Sequence, residues 1–92
     1  MIHLNIPTPL RPFVNGKDTL TFSEVGTVAS LLDHLVTDYE KLKTHLFTPE
    51  GSLRKFINIY VGDDDIRFLN GLDTILSPDA EVSIIPSIAG GY

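Results

Sequence analysis

One stripe of apolar residues constrains the fold of this 92-residue chain more than any other feature. The stripe recurs at steps of three and four residues, which places its side chains on one face of an α-helix. Thr27, directly before the stripe, is a plausible N-cap. One amphipathic helix needs a second layer on which to bury its apolar face. The stripe consists of Val28, Leu31, Leu32, Leu35, Val36 and Tyr39, and Leu42, Leu46 and Phe47 either extend the helix or form a second short turn.

The segment before the helix predicts a hairpin. Residues 2–6 and 19–23 both alternate apolar and polar side chains, as half-buried strands do. Residues 7–18 between them contain three prolines, which interrupt strand pairing, and end at an Asn15-Gly16 turn signal. We therefore expect two paired strands joined by a turn-rich excursion.

The segment after the helix predicts three further strands. Residues 55–61 are rich in β-formers, residues 66–68 offer a short edge strand, and residues 81–85 form the last strand, whose pairing Pro86 ends. Turns are expected at 62–65, at Asn70-Gly71 and at 77–79. Leu72, Ile75 and Leu76 are expected to fill the core.

Composition limits the function classes. The net charge of −5 argues against nucleic-acid binding and favours a basic protein partner. The chain has no cysteine, which excludes disulfides, thiolate catalysis and cysteine-based metal sites. No signal peptide and no apolar run of membrane-spanning length is visible, so we expect a cytoplasmic protein.

The predicted order ββ-α-ββ-β belongs to the α+β class. A mixed sheet crossed by one helix buries nearly every apolar residue and leaves little interior for a substrate pocket. If the first and last strands lie parallel and adjacent, the arrangement is the β-grasp, or ubiquitin-like, fold. We expect a β-grasp domain at residues 1–87 and a flexible C-terminal tail at 88–92.

The tail ends in Ala89-Gly90-Gly91-Tyr92. A Gly-Gly pair is weak evidence alone, but this pair directly follows the last predicted strand of a small domain. Glycine has no Cβ, so such a segment can thread a narrow channel and present a carboxylate to another enzyme. Ala89 and Gly90 would make the tail slim, and Tyr92 holds the Gly91 carbonyl in a peptide bond.

Four segments together resemble the ubiquitin-like sulfur carriers of the ThiS/MoaD family, and within it the CysO-type carriers of cysteine synthesis. The likeness spans almost the whole chain, and the segments at 56–61 and 66–68 are its more specific parts. The matching segments are Leu10-Arg11-Pro12-Phe13, Phe56-Ile57-Asn58-Ile59-Tyr60-Val61 with Asp64-Asp65-Ile66-Arg67-Phe68, Val82-Ser83-Ile84-Ile85-Pro86, and Ala89-Gly90-Gly91.

The resemblance implies a protein substrate that is not itself an enzyme and binds no cofactor. A ubiquitin-activating-type adenylyltransferase would use ATP to convert the Gly91 carboxylate into an acyl-adenylate. Sulfur would then replace AMP, and the Gly91 thiocarboxylate would donate sulfur to an acceptor such as a cysteine synthase.

Tyr92 departs from the mature family pattern, because it blocks activation of Gly91 until it is removed. Some family members carry such extensions, and a JAMM-type zinc peptidase removes them. We therefore expect a precursor processed between Gly91 and Tyr92. The alternatives are that Tyr92 is a gene-specific remnant or that the chain no longer carries sulfur.

Phe56, Tyr60 and Ile85 are expected on the sheet face turned away from the helix, near the tail. An exposed apolar patch there would suit partner docking. The alternative, held equal, is that the excursion at 7–18 or the strand at 66–68 covers these residues.

The remaining polar residues indicate no further site. His3, His34 and His45 have no metal-motif spacing and are expected to be solvated. Asp63-Asp64-Asp65 lacks the ligand pattern of a calcium loop and is expected to be a solvated turn. No serine lies in a Gly-x-Ser-x-Gly context.

Other functions share the same tail. The sulfur destination could be molybdopterin, thiamine, tRNA thiolation or a thio-siderophore. The chain could also be a ubiquitin-like modifier joined to lysines, or an interaction domain whose tail has no role.

Overall fold

The structure is a computed structural model, and it describes residues 1–86. Within these residues, five strands form one mixed sheet in the order β2-β1-β5-β3-β4. No described helix is long and apolar enough to cross a membrane. The elements are β1 (Ile2–Asn5), β2 (Thr19–Phe22), α1 (Val28–Asp38), α2 (Leu42–Leu46), β3 (Ile57–Val61), β4 (Asp64–Asp65) and β5 (Glu81–Pro86), with 3₁₀ helices at Thr8–Val14, Ile66–Phe68 and Gly71–Asp73.

The predicted helix forms with the predicted cap. The Thr27 side-chain oxygen accepts a hydrogen bond from the Ser30 N–H at 3.2 Å, which satisfies one of the donors that a helix start leaves unpaired. The chain leaves the helix at Tyr39 and then forms α2 separately, so the second of the two expected arrangements is observed. Leu42 and Leu46 are buried there.

The predicted hairpin and the parallel central pair are both present. β1 is antiparallel to β2 and parallel to β5, with Leu4 opposite Val82. Asn15 and Gly16 both adopt positive φ angles, 60° and 78°, as the predicted turn requires. Because β5 lies in the middle of the sheet, between β1 and β3, its end has a fixed place in the fold.

The core lies between α1 and one face of this sheet. Leu4, Ile59 and Val82 come from three adjacent strands, and Leu31 and Leu35 come from the helix; all five are buried. Each such side chain contributes about 1.5–3 kcal/mol when it leaves water. The apolar stripe and the strand alternation therefore meet in one core, as expected.

The excursion at 7–18 is more ordered than expected. Residues Thr8–Val14 form a 3₁₀ helix that contains Pro9 and Pro12, and Leu10 and Val14 are buried against the core. Pro9, near the start of the helix, loses no bond, because the first N–H groups have no partner inside the helix, whereas Pro12 lies within it.

The prediction of an edge strand at residues 66–68 is wrong. The strand is the two-residue β4 before it, and Ile66–Phe68 is a 3₁₀ helix capped by Asp65. The prediction of a solvated turn for Asp63-Asp64-Asp65 is also wrong for its last member. Asp65 is buried, and its carboxylate accepts the Arg67 N–H in that helix.

Two smaller predictions need correction. Ile75 was expected in the core but is 77% exposed, whereas Leu76 is buried and Leu72 is half-buried. Successive side chains of extended backbone point to opposite sides, so only one of this pair can enter the core. The last strand, predicted at 81–85, also includes Pro86, which lies opposite Ile57 and is the last described residue. A proline is tolerated at a strand end because its missing N–H is not needed there.

Candidate functional site

The sheet end at which β5 finishes is the candidate site. Pro86 is the last described residue, opposite Ile57 at the start of β3. The expected attachment point Gly91, the slim residues Ala89 and Gly90, and the processing position Tyr92 lie outside the described residues. The predicted boundary between domain and tail, at residue 87, also lies outside the described residues. These assignments remain predictions.

An apolar patch on the outer sheet face lies beside this end. Asn58 is paired with Ile85 in neighbouring strands, and Tyr60 lies two residues further along β3 on the same face. Phe56 comes directly before β3 and is 57% exposed, and Ile85 is 46% exposed. Tyr60 is half-buried. Neither the excursion nor the 66–68 segment therefore covers Phe56 and Ile85, which lie at the β5 end of the sheet. Tyr60 lies further along the same face, opposite Ser83.

A polar row borders the patch on the same face. The Asn5 side-chain amide donates to the Ser83 hydroxyl at 3.1 Å, and the Thr19 hydroxyl donates to the Asn5 side-chain oxygen Oδ1 at 3.4 Å. The row crosses β2, β1 and β5. An apolar centre beside a polar border is the usual anatomy of a protein-binding surface.

An open pocket of about 510 Å³ continues around the sheet end from Phe56. We call it the tail-root pocket, because Pro86 belongs to its wall. The sequence did not predict it, since its walls come from four separate segments that meet only in the fold. It is lined by Pro9, Leu10, Phe13, Thr44, His45, Arg54, Phe56, Ile57 and Pro86.

The histidines form no metal site in the described part of the chain, where no cluster of three metal-ligating side chains occurs. His34 and His45 are exposed, as expected, and His3 is half-buried on β1. His45 is the one that has a specific environment. Its ring packs on Phe13 with the centroids 4.3 Å apart.

Asp65 and Arg67 are the titratable groups with perturbed pKa values. The hydrogen bond from the Arg67 side chain lowers the pKa of Asp65 most, and the Arg67 backbone N–H lowers it further, against the opposing effect of burial. The same contacts raise the pKa of Arg67. This pair lies on the β4 side of the sheet and holds a turn in place.

The fold and the tail-bearing sheet end define a small ubiquitin-like β-grasp protein. The chain belongs to the ThiS family, whose model matches residues 4–91. It is 36% identical to the sulfur carrier protein CysO of Mycobacterium tuberculosis over 92 residues, 98% of each chain. The prediction of a ThiS-type carrier is confirmed.

Two solved structures agree with this assignment. The BexX/CysO complex of Amycolatopsis orientalis contains a chain that matches with a TM-score of 0.86 and 32% identity, covering 99% of this chain and 100% of that one. Small archaeal modifier protein 1 of Methanosarcina acetivorans matches with a TM-score of 0.85 and 29% identity, covering 98% and 95%. The predicted β-grasp fold is confirmed, and because the relatives are carriers, so is the prediction that the chain is not an enzyme.

Proposed function

We propose that this CysO-type sulfur carrier works through the carboxylate of Gly91, after removal of Tyr92, and supplies sulfur for cysteine synthesis. The observation that carries the proposal is the near-full-length likeness to CysO, together with the ThiS family match, which extends through the Gly90-Gly91 pair. The position of β5 supports it, because the central strand directs the chain toward the tail beside the exposed patch.

The chemistry follows from the poor reactivity of a carboxylate. A Gly91 oxygen attacks the α-phosphate of ATP on an adenylyltransferase, pyrophosphate leaves, and an acyl-adenylate forms. A sulfide equivalent then attacks the acyl carbon, the carbon–oxygen bond to AMP breaks, and a thiocarboxylate remains. The carrier itself binds no cofactor, and ATP belongs to the activating enzyme. Because activation consumes ATP, we place the protein in the cytoplasm.

The described residues supply recognition in this scheme. Phe56, Tyr60 and Ile85 form the surface on which the adenylyltransferase docks while the tail enters its active site. One CysO protein is solved in a complex with BexX. We propose that this chain forms comparable complexes with a sulfur acceptor such as a cysteine synthase, and that a JAMM-type zinc peptidase cuts between Gly91 and Tyr92.

Intact-mass analysis of the protein from its own organism, grown under sulfur demand, tests this function. We expect a chain that has lost Tyr92, part of it with one terminal oxygen replaced by sulfur. A matched variant without Gly91 and Tyr92 should acquire no sulfur. Finding only the full-length, unmodified protein would contradict the proposal and favour a simple interaction domain.

A second candidate function is protein modification. The likeness to small archaeal modifier protein 1, at 29% identity, favours it. Activation would be the same, but a lysine amine would attack Gly91. Lysine-linked adducts of high mass in lysate, absent from the variant without Gly91, would support this alternative. Delivery to molybdopterin, thiamine, tRNA thiolation or a thio-siderophore would instead be detected as loss of that product when the gene is deleted.

A further inference from the structure

The tail-root pocket has a cation held in a fixed position. The Arg54 Nε–H donates to the Thr44 carbonyl oxygen at 2.8 Å, and the Arg54 backbone N–H donates to the Leu46 carbonyl oxygen, also at 2.8 Å. Both bonds tie Arg54 to α2. Since the guanidinium is planar, fixing Nε also restricts where its two terminal nitrogens can point.

No carboxylate within residues 1–86 lies at ion-pair distance from Arg54. The terminal nitrogens of a guanidinium match the two oxygens of a carboxylate, and such pairs are strong where the side chain is already positioned. Arg54 is half-buried, so water screens it less than it would a fully exposed arginine. A pocket with these properties suits a carboxylate from another molecule.

The walls of the pocket are apolar and aromatic. The rings of Phe13 and His45, in contact and tilted by 33°, form one side, and Phe56 with Pro86 forms another. A free inorganic anion would leave these walls in water. The carboxylate of a glutamate or aspartate next to an apolar side chain would use both the cation and the walls.

The described lining of the pocket has positive charge and no carboxylate. Arg54 lines it, and no aspartate or glutamate among the described residues does. An acidic side chain therefore meets attraction inside the pocket, although the chain as a whole has a net charge of −5.

We propose that the tail-root pocket receives an acidic side chain, flanked by an apolar one, from the partner protein that holds the tail. This proposal rests on the proposed function for the identity of the partner. Because Phe56 belongs to both the pocket and the outer patch, one partner can cover both surfaces at once. The acidic contact would fix the rotation of the carrier about its tail, which an apolar patch alone does weakly.

A titration that needs no partner tests the pocket directly. The isotope-labelled carrier is titrated with an acetylated, amidated Glu-Phe-Glu peptide at millimolar concentration, and the NMR signals of the Arg54 Nε–H and the His45 ring are followed. We expect saturable shifts at both residues. A Gln-Phe-Gln peptide should shift neither, because it lacks the charge. Absence of saturable shifts with the acidic peptide would overturn the proposal, and equal shifts with inorganic phosphate would indicate a small-anion site instead.

Variants distinguish binding in the pocket from general attraction between opposite charges. Arg54→Gln should weaken the acidic peptide about tenfold, and Arg54→Lys should fall between it and the native protein. Lys17→Gln removes one exposed positive charge outside the pocket and should have little effect; an equal loss in both glutamine variants would contradict a specific pocket. If Arg54→Gln fails to fold, His45→Gln is used in its place. His45 is exposed and belongs to the aromatic wall of the same pocket. These results do not depend on the proposed function. They would stand even if the carrier formed no thiocarboxylate in cells.

Discussion

The Asp65 carboxylate binds Arg67 in two ways. It accepts the Arg67 backbone N–H at 2.8 Å, which caps the 3₁₀ helix at Ile66–Phe68, and it forms an ion pair with the guanidinium at 3.2 Å. The contact connects the edge strand β4 to the segment that follows it. One side chain therefore ends the sheet and begins a helical turn.

Replacing Asp65 with alanine should lower the free energy of unfolding by about 1 kcal/mol, the usual cost of losing a capping side chain. The adjacent Asp64 is exposed and serves as the control, so Asp64→Ala should change stability by less than about 0.5 kcal/mol. Urea unfolding of both variants gives the comparison. Equal stability losses would mean that the cap has no specific effect.

The same contact predicts a pH dependence. Arg67 lowers the pKa of Asp65 in the folded protein below the ordinary value of 3.8. A lowered folded-state pKa means that the unfolded chain binds the proton more tightly. The stabilisation is therefore complete above the unfolded-state pKa, about 3.9, and is lost as the pH falls through the lower folded-state pKa.

Asp65→Asn keeps a capping oxygen but cannot ionise. We expect the stability difference between the native protein and this variant to be constant from neutral pH down to about pH 5 and to shrink below about pH 4. Urea unfolding over a pH series measures it. A difference that stays constant into strong acid would show that the charge of Asp65 does not contribute.

The sequence could not reveal this arrangement for a physical reason. Ile66 and Phe68 alternate with Arg67 and therefore predict an edge strand. Over three residues, however, one side-chain hydrogen bond outweighs such a weak pattern. The helix α1 was predictable because its stripe repeats over three turns and its Thr27 cap is local.

The corrected positions of Ile75 and Leu76 give a third prediction. Leu76→Ala should cost about 2–4 kcal/mol, because it leaves a cavity in the core, whereas Ile75→Ala should stay within about 0.5 kcal/mol. Chemical unfolding of the two single variants decides between the expected and observed positions. A similar cost at both positions would mean that Ile75 is also buried.

The candidate site was predictable only in part. Phe56, Tyr60 and Ile85 could be expected on one face because strand alternation fixes faces locally. The tail-root pocket could not be expected, because Phe13, His45 and Arg54 belong to segments that only the fold brings together. The cation Arg54 in that pocket is equally hidden, since the overall charge is −5.

The docking surface gives the last prediction. Phe56→Ala and Ile85→Ala should each weaken binding to the adenylyltransferase about tenfold, because central apolar residues of an interface carry much of its binding energy. Phe68 is the matched control: it is an aromatic residue, 87% exposed, in the 3₁₀ helix that follows β4. Phe68→Ala should bind like the native protein. Calorimetric titration with the enzyme measures all three, and a thermal melt of each variant checks folding. A larger loss for Phe68→Ala than for Phe56→Ala would place the docking surface at the 3₁₀ helix after β4 and not beside Phe56 and Ile85.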